Sequence, residues 1–142
     1  MIAGIGIDIV DLSAFGSQLS DKASVFVDGT FSRGERLQSA DRPGSSITSH
    51  LAGRFAAKEA FIKAWSGANW GRPPARKQVD MKEIEVVSDN TGRPRMKLHG
   101  DVFKAVSRLG EYRVHLSMSH DGGYASAVVL IELLDAGREE AS

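Results

Sequence analysis

Four charged residues on one short stretch carry the first chemical suggestion in this chain. In Arg54-Phe-Ala-Ala-Lys58-Glu59-Ala-Phe-Ile-Lys63, helical spacing sets Arg54 beside Lys58 and Glu59 beside Lys63. A carboxylate flanked by these cations suits a divalent metal together with phosphate oxygens. The same spacing also describes an ordinary Glu59–Lys63 surface pair. A second carboxylate, Asp8, stands among isoleucines in Ile5-Gly-Ile-Asp8-Ile-Val10. Buried and unpaired, it would cost several kcal/mol, on the order of the penalty for any lone charge in an apolar setting. Asp8 must therefore meet a cation, a metal or solvent, unless Asp8 or Asp11 caps the helix that follows.

The elements that position these groups follow from local pattern. Ile2 to Val10 reads as a strand, rich in β-branched residues, in which Gly4 and Gly6 permit close backbone approach. Asp11 to Leu19 reads as a short helix with Leu12, Phe15 and Leu19 on one face. Ser32 and Glu35 have the spacing of a capping box, a structural role for Glu35. Ser39 to Ser46 reads as a polar loop. The central helix is expected over Leu51–Trp65, capped by Ser45, Ser46 or Thr48, with a wide apolar face opposite its four charges. Ser66 to Val79, with Arg72, Arg76 and Lys77, reads as an irregular loop, either solvated or facing an acidic ligand. A hairpin follows: Met81 to Val87, the turn Asp89–Pro94, and Arg95 to Leu98. Gly100 to Leu109 is an amphipathic helix stopped by Gly110. Tyr112 to His120 alternates, and after the Asp121-Gly-Gly turn Tyr124 to Leu134 forms a strongly apolar strand. The order of elements predicts an α+β fold, one domain over 1–134 with a charged, frayed tail over 135–142.

Composition narrows the function. At 142 residues, 42% hydrophobic and 25% charged, the chain is long enough for a real core. Its net charge is zero, with 18 residues of each sign, which argues against a nucleic-acid binder. It has no cysteine, so disulfides, thiolate catalysis and cysteine-ligated zinc are excluded. The N-terminus has no basic region of a signal peptide, and the apolar run Ala125–Ile131 is too short to span a bilayer. A soluble cytoplasmic protein with no membrane partner is expected.

Five motifs occur together: Gly6-Ile-Asp8-Ile-Val, Phe31-Ser-Arg-Gly-Glu35, the Arg54–Lys63 stretch continued to Ala64, Gly92-Arg-Pro94 before a short strand, and Ser117-Met-Ser-His120. As a set, and over nearly the whole chain, Ile2 to about Leu133, they resemble the holo-[acyl-carrier-protein] synthase family of small 4′-phosphopantetheinyl transferases. The resemblance implies that 4′-phosphopantetheine passes from coenzyme A to a serine of an apo acyl-carrier protein or carrier domain, releasing adenosine 3′,5′-bisphosphate. It implies fatty acid biosynthesis as the setting. It implies Mg²⁺ held between Asp8, Glu59 and the pyrophosphate of coenzyme A, and a homotrimer with strands at the subunit interface and active sites between neighbours. The Gly92, Arg93 and Pro94 turn would border the adenine, and Ser119 and His120 would lie near phosphate or ribose.

The chemistry of the residues agrees with this. Mg²⁺ is usually held by one or two protein carboxylates plus phosphate and water. Arg54, Lys58 and Lys63 would meet phosphoryl charge. Glu59, directly or through a metal-bound water, is the candidate base for the serine hydroxyl, with Asp8 the second choice. One departure stands out. Family members carry basic residues on the first helix, whereas Leu12 to Leu19 has none and only Lys22 follows. Carrier recognition would then rest on Phe15 and Leu19, on Arg33 and Arg36, or on a less acidic carrier. Two other readings use the same residues: a non-catalytic coenzyme A-binding module, and an Mg²⁺-dependent pyrophosphate hydrolase.

Overall fold

A computed structural model of the protein describes residues 1–21, 25–74 and 78–135. Along the chain run β1 (Ile2–Asp11), α1 (Leu12–Ser20), α2 (Phe26–Thr30), α3 (Arg33–Ala40), α4 (Gly44–Ala68), a 3-10 turn (Met81–Glu83), β2 (Ile84–Ser88), β3 (Pro94–Leu98), α5 (Gly100–Ser107), β4 (Tyr112–Asp121) and β5 (Tyr124–Leu133). β1, β5 and β4 form one antiparallel sheet in that order, and β2 and β3 form a separate hairpin. The expected α+β fold is present. The charged tail, apart from Asp135, and Lys22, Arg76 and Lys77 lie outside the described residues.

The sheet presses β1 onto α4 with no side chain between them. A Cβ at Gly4 would collide with the Ala64 carbonyl, and one at Gly6 with the Ala60 carbonyl. Glycine at both positions, facing alanines on the helix, is what allows the contact. The next inward position along β1 is Asp8, so this close approach brings its carboxylate to the helix surface. Beyond it Val10 is buried, as are Ala125, Ala127, Val129 and Ile131 of β5 on the same face. The other face of β1 is open: Ile5, Ile7 and Ile9 are 63%, 65% and 66% exposed.

Helix α4 runs past the expected end at Trp65 to Ala68, into the expected Ser66–Val79 loop, and differs from the expected helix in two further ways. It begins at Gly44, so Ser45, Ser46 and Thr48 lie inside it, and Pro43 takes the N-cap position without any side-chain cap. The polar run predicts a loop, but packing overrides propensity here: Gly16 of α1 sits against Thr48. Nor is α4 a two-faced helix. From Leu51 to Phe61 every residue except Phe55 and Glu59 is buried, Arg54 and Lys58 included. The sheet covers one side and α3 with the hairpin another, so α4 is a central helix.

Two smaller expectations resolve in the same way. Asp11 caps α1, its Oδ1 accepting from the Ala14 N–H at 2.9 Å, which leaves Asp8 free of that role. Met81 to Glu83 is a turn rather than the start of β2, because the Asp80 side chain accepts from the Lys82 N–H at 3.0 Å and closes it.

Candidate functional site

Lys63 links α4 to β1. Its ammonium donates to the Ile7 carbonyl at 3.0 Å and to Asp8 Oδ1 at 3.1 Å. The expected pairing with Glu59 one turn back is thus replaced by a cross-element contact. Glu59 is half-buried and lines, with Asp8, a depression of about 260 Å³. Burial, and then the negative charge of Asp8, push the Glu59 carboxyl above its ordinary range, against the pull of Lys63. The structure therefore brings Asp8, Glu59 and Lys63 together.

Two like charges facing a shared depression are relieved by a cation. Among the described residues no cluster of three or more His, Cys, Asp or Glu side chains could hold a metal by itself. Two carboxylates suit Mg²⁺, which completes its shell with phosphate and water oxygens, and they do not suit a closed zinc site.

A second, larger cavity of about 740 Å³ opens on another part of α4, between the ends of β2 and β4. Arg54, Gly92, Pro94, Ser119 and His120 all line it, as the sequence motifs suggested. Gly92 has φ +83°, a conformation that favours glycine at this turn. Arg54 is nine-tenths buried and donates from Nη2 to Ser88 Oγ at 3.2 Å.

Two of the expected ligand residues are occupied elsewhere. Lys58 is fully buried, with its ammonium 2.7 Å from Glu35 Oε1. It also donates to the carbonyls of Met81 at 2.9 Å and Ile84 at 2.6 Å, and lies over the Phe31 ring. The hairpin covers it, so no phosphate can reach it. Burial lowers its proton affinity and Glu35 opposes that. Glu35 also completes the expected capping box with Ser32 and accepts from the Val86 N–H at 3.0 Å. Arg93 is outside the cavity lining. Its Nε is 2.7 Å from Asp89 Oδ2, and hydrogen bonds from Thr91 and Arg93 hold the Asp89 carboxyl down to about 2.

The candidate carrier contacts also sort themselves. Phe15 is buried against Phe26, Phe31 and Phe55, and what little of it is open faces the depression that Asp8 and Glu59 line. Arg36 is paired with Asp28 at 2.7 Å, whereas Arg33 is exposed and Leu19 half-buried. The ionisable cavity residues missed from the sequence are Arg42, His50 and Asp89. His50 precedes Arg54 by one helical turn, a spacing visible only once α4 is known to extend upstream of Leu51.

The two regions share no lining residue. His50 and Glu59 are nine positions apart, about two and a half helical turns, and so lie on opposite faces of α4.

A family model described as "4'-phosphopantetheinyl transferase superfamily" matches residues 4–129. A holo-[acyl-carrier-protein] synthase of Corynebacterium glutamicum (strain R) is 45% identical over 132 residues, covering 91% of this chain and 97% of the relative. One from Mycobacterium sp. (strain KMS) is 44% identical over 131 residues, covering 92% of this chain and 97% of that one. Among solved structures, an ACPS–CoA complex from Chronobacterium ammoniagenes superposes with TM-score 0.85 at 43% identity, covering 93% of this chain and 98% of that one. Mycobacterium tuberculosis acyl carrier protein synthase superposes with TM-score 0.74 at 38% identity, covering 94% of this chain and 100% of that one.

Proposed function

The chain belongs to the 4′-phosphopantetheinyl transferase superfamily, and from that premise we propose how it works. It transfers the 4′-phosphopantetheine group of coenzyme A to a serine of an apo acyl-carrier protein or carrier domain, releasing adenosine 3′,5′-bisphosphate. One domain over 1–134, working in the cytoplasm, carries the activity, and its active sites form between copies of the chain in a homotrimer.

The observation that carries this reading is the split of the functional residues across α4. Asp8, Glu59 and Lys63 lie on one side, and the cavity with Arg54, the Gly92–Pro94 turn, Ser119 and His120 lies on another. A nucleotide needs both halves, and a neighbouring copy supplies the missing one. The exposed Ile5, Ile7 and Ile9, with half-buried Val128 and Leu130 paired beside them, form an apolar face fit for that contact.

Asp8 and Glu59 would hold Mg²⁺, which when bound offsets negative charge on the pyrophosphate oxygens. The serine oxygen attacks the β-phosphorus, and the bond from that phosphorus to the bridging oxygen breaks, leaving adenosine 3′,5′-bisphosphate. Glu59 is the candidate acceptor of the serine proton, with Asp8 the second choice. Lys63, held between the Ile7 carbonyl and Asp8, presents its ammonium to the phosphoryl charge that develops. In the neighbour's cavity, Arg54 and His120 bind the nucleotide end.

Mass spectrometry tests the reading. Protein, Mg²⁺, coenzyme A and an apo carrier should add one phosphopantetheine mass to the carrier. No gain across several carriers, with adenosine bisphosphate formed in their absence, would instead mean a hydrolase. Binding of coenzyme A without turnover would mean a binding module.

A further inference from the structure

One motif of the sequence has no part in either half of the site. Ser32 and Glu35 of the Phe31–Glu35 stretch line neither the depression nor the larger cavity. Their hydrogen bonds run to β2 instead. Glu35 Oε1 accepts from the Ser32 N–H at 2.9 Å and pairs with Lys58, while its Oε2 accepts from the Val86 N–H at 3.0 Å. The Ser32 hydroxyl accepts from the Glu35 N–H at 3.1 Å and donates to Glu85 Oε2 at 2.6 Å. A capping box needs only the two reciprocal bonds between Ser32 and Glu35. The bonds to Glu85 and Val86 are additional. A Cβ at Gly34 would stand 3.0 Å from Glu85 Oε2, so glycine there leaves the carboxylate room against α3. Through Lys58, which donates to the Ile84 carbonyl, the motif reaches a third successive residue of β2.

β2 leads to the cavity. Ser88 ends the strand, and Ser88, Asp89, Asn90, Gly92 and Pro94 line the cavity wall. Among the described residues β2 pairs only with β3, and a two-stranded hairpin is marginal in water by itself. Its place is therefore set by what holds it from outside. At the cavity end that is Arg54, donating to Ser88 Oγ. At its start it is Ser32, Glu35 and Lys58, with His99 Nε2 3.0 Å from the other oxygen of Glu85. The turn is closed internally, by the Gly92 N–H on the Asp89 carbonyl at 3.0 Å, and so moves with the strand that carries it. We propose that Ser32 and Glu35 are positioning residues for transfer. By holding β2 they set where the 89–94 turn meets the nucleotide end of coenzyme A, without touching the ligand. The inference rests on the transferase reading above. Asp8, Glu59 and Lys63 lie across α4 from this wall, so slackening it should cost affinity and spare the chemical step.

The Ser32–Glu85 bond can be broken from either side. Ser32→Ala removes the hydroxyl and the helix cap with it. Glu85→Ala removes the carboxylate and leaves the cap in place, so it carries the test if the first variant fails to fold. Each should raise the KM for coenzyme A, and the Kd of adenosine 3′,5′-bisphosphate by calorimetry, about tenfold, the low end for a hydrogen bond to a charged group. The kcat at saturating coenzyme A should stay within about twofold of the wild type, since the lost interaction acts on binding. Ser32→Thr, which keeps the hydroxyl, should restore both constants. The double variant should be no worse than the worse single one, because the two changes break the same bond. A merely structural role predicts a lowered unfolding midpoint with KM and Kd unchanged, and that result overturns the assignment, as does a loss confined to kcat. If the wild type transfers and the variants bind normally, only this role falls. If the wild type neither binds adenosine 3′,5′-bisphosphate nor modifies a carrier, the transferase reading falls and takes this inference with it.

Discussion

Lys58 and Lys63 lie five positions apart on one helix and have opposite fates. Lys58 is sealed beneath the hairpin with Glu35 and two backbone carbonyls. Lys63 has a side chain that is 54% exposed and reaches across to Asp8 on β1. Both belong to the same short run of charges, so residue type does not separate them. What separates them is the surface that covers each. Lys58 faces α3 and β2, where its ammonium is taken up by Glu35 and the Met81 and Ile84 carbonyls. Lys63 reaches Asp8, which lines a depression, and its charge stays half in solvent, open to a ligand.

The largest effect that would sharpen this contrast is on stability. Lys58→Met strands the Glu35 carboxylate in a closed site and should cost about 3–5 kcal/mol, read from urea unfolding. Lys58→Met combined with Glu35→Gln should recover part of that loss. A Lys58→Met protein with wild-type stability but lost coenzyme A binding would reverse the assignment of the two lysines.

Next in size is catalysis. Glu59→Gln should lower turnover at least about a hundredfold, whether it removes a base or a metal ligand, while the unfolding midpoint stays near that of the wild type. Lys63→Ala should likewise spare the fold, with a stability change under about 1 kcal/mol because its ion pair is half in solvent, and slow transfer more than it weakens coenzyme A binding.

A smaller effect concerns acid. His50 has a folded-state pKa of about 4 against an ordinary 6.5, so between these values the unfolded chain binds the extra proton. Stability should therefore fall as pH drops from 6.5 toward 4 and gain no further loss from this group below that. The decline in thermal midpoint should be shallower in His50→Gln. The smallest effect is at Arg93. Its ion pair with Asp89 is exposed, and Arg93→Ala should change stability by less than about 1 kcal/mol, in contrast to the buried pair of Lys58.

The sequence made the backbone of this picture legible where local rules dominate. Gly4 and Gly6 announced a close approach, Ser32 and Glu35 announced a capping box, and alternation in β4 separated its two faces. The start of α4 was hidden because its first turns are Ser- and Thr-rich, and the contact of Thr48 with Gly16 of α1 is tertiary. That missed boundary concealed His50. The charged run could not be divided into structural and chemical members, since Lys58 and Lys63 differ only in what the rest of the chain lays over them. Likewise the three phenylalanines that surround Phe15 come from other elements, and its burial is invisible in its own helix.

The central claim is that one copy's Asp8, Glu59 and Lys63 act on a nucleotide held in another copy's cavity. Mixing subunits of two inactive variants, Glu59→Gln and Arg54→Ala, tests it most directly, with carrier modification followed by mass spectrometry after co-refolding. Assemblies containing both variants should regain transfer, because one of their sites then combines two unaltered halves. Mixed assemblies that form and yet remain as inactive as either parent would contradict the account.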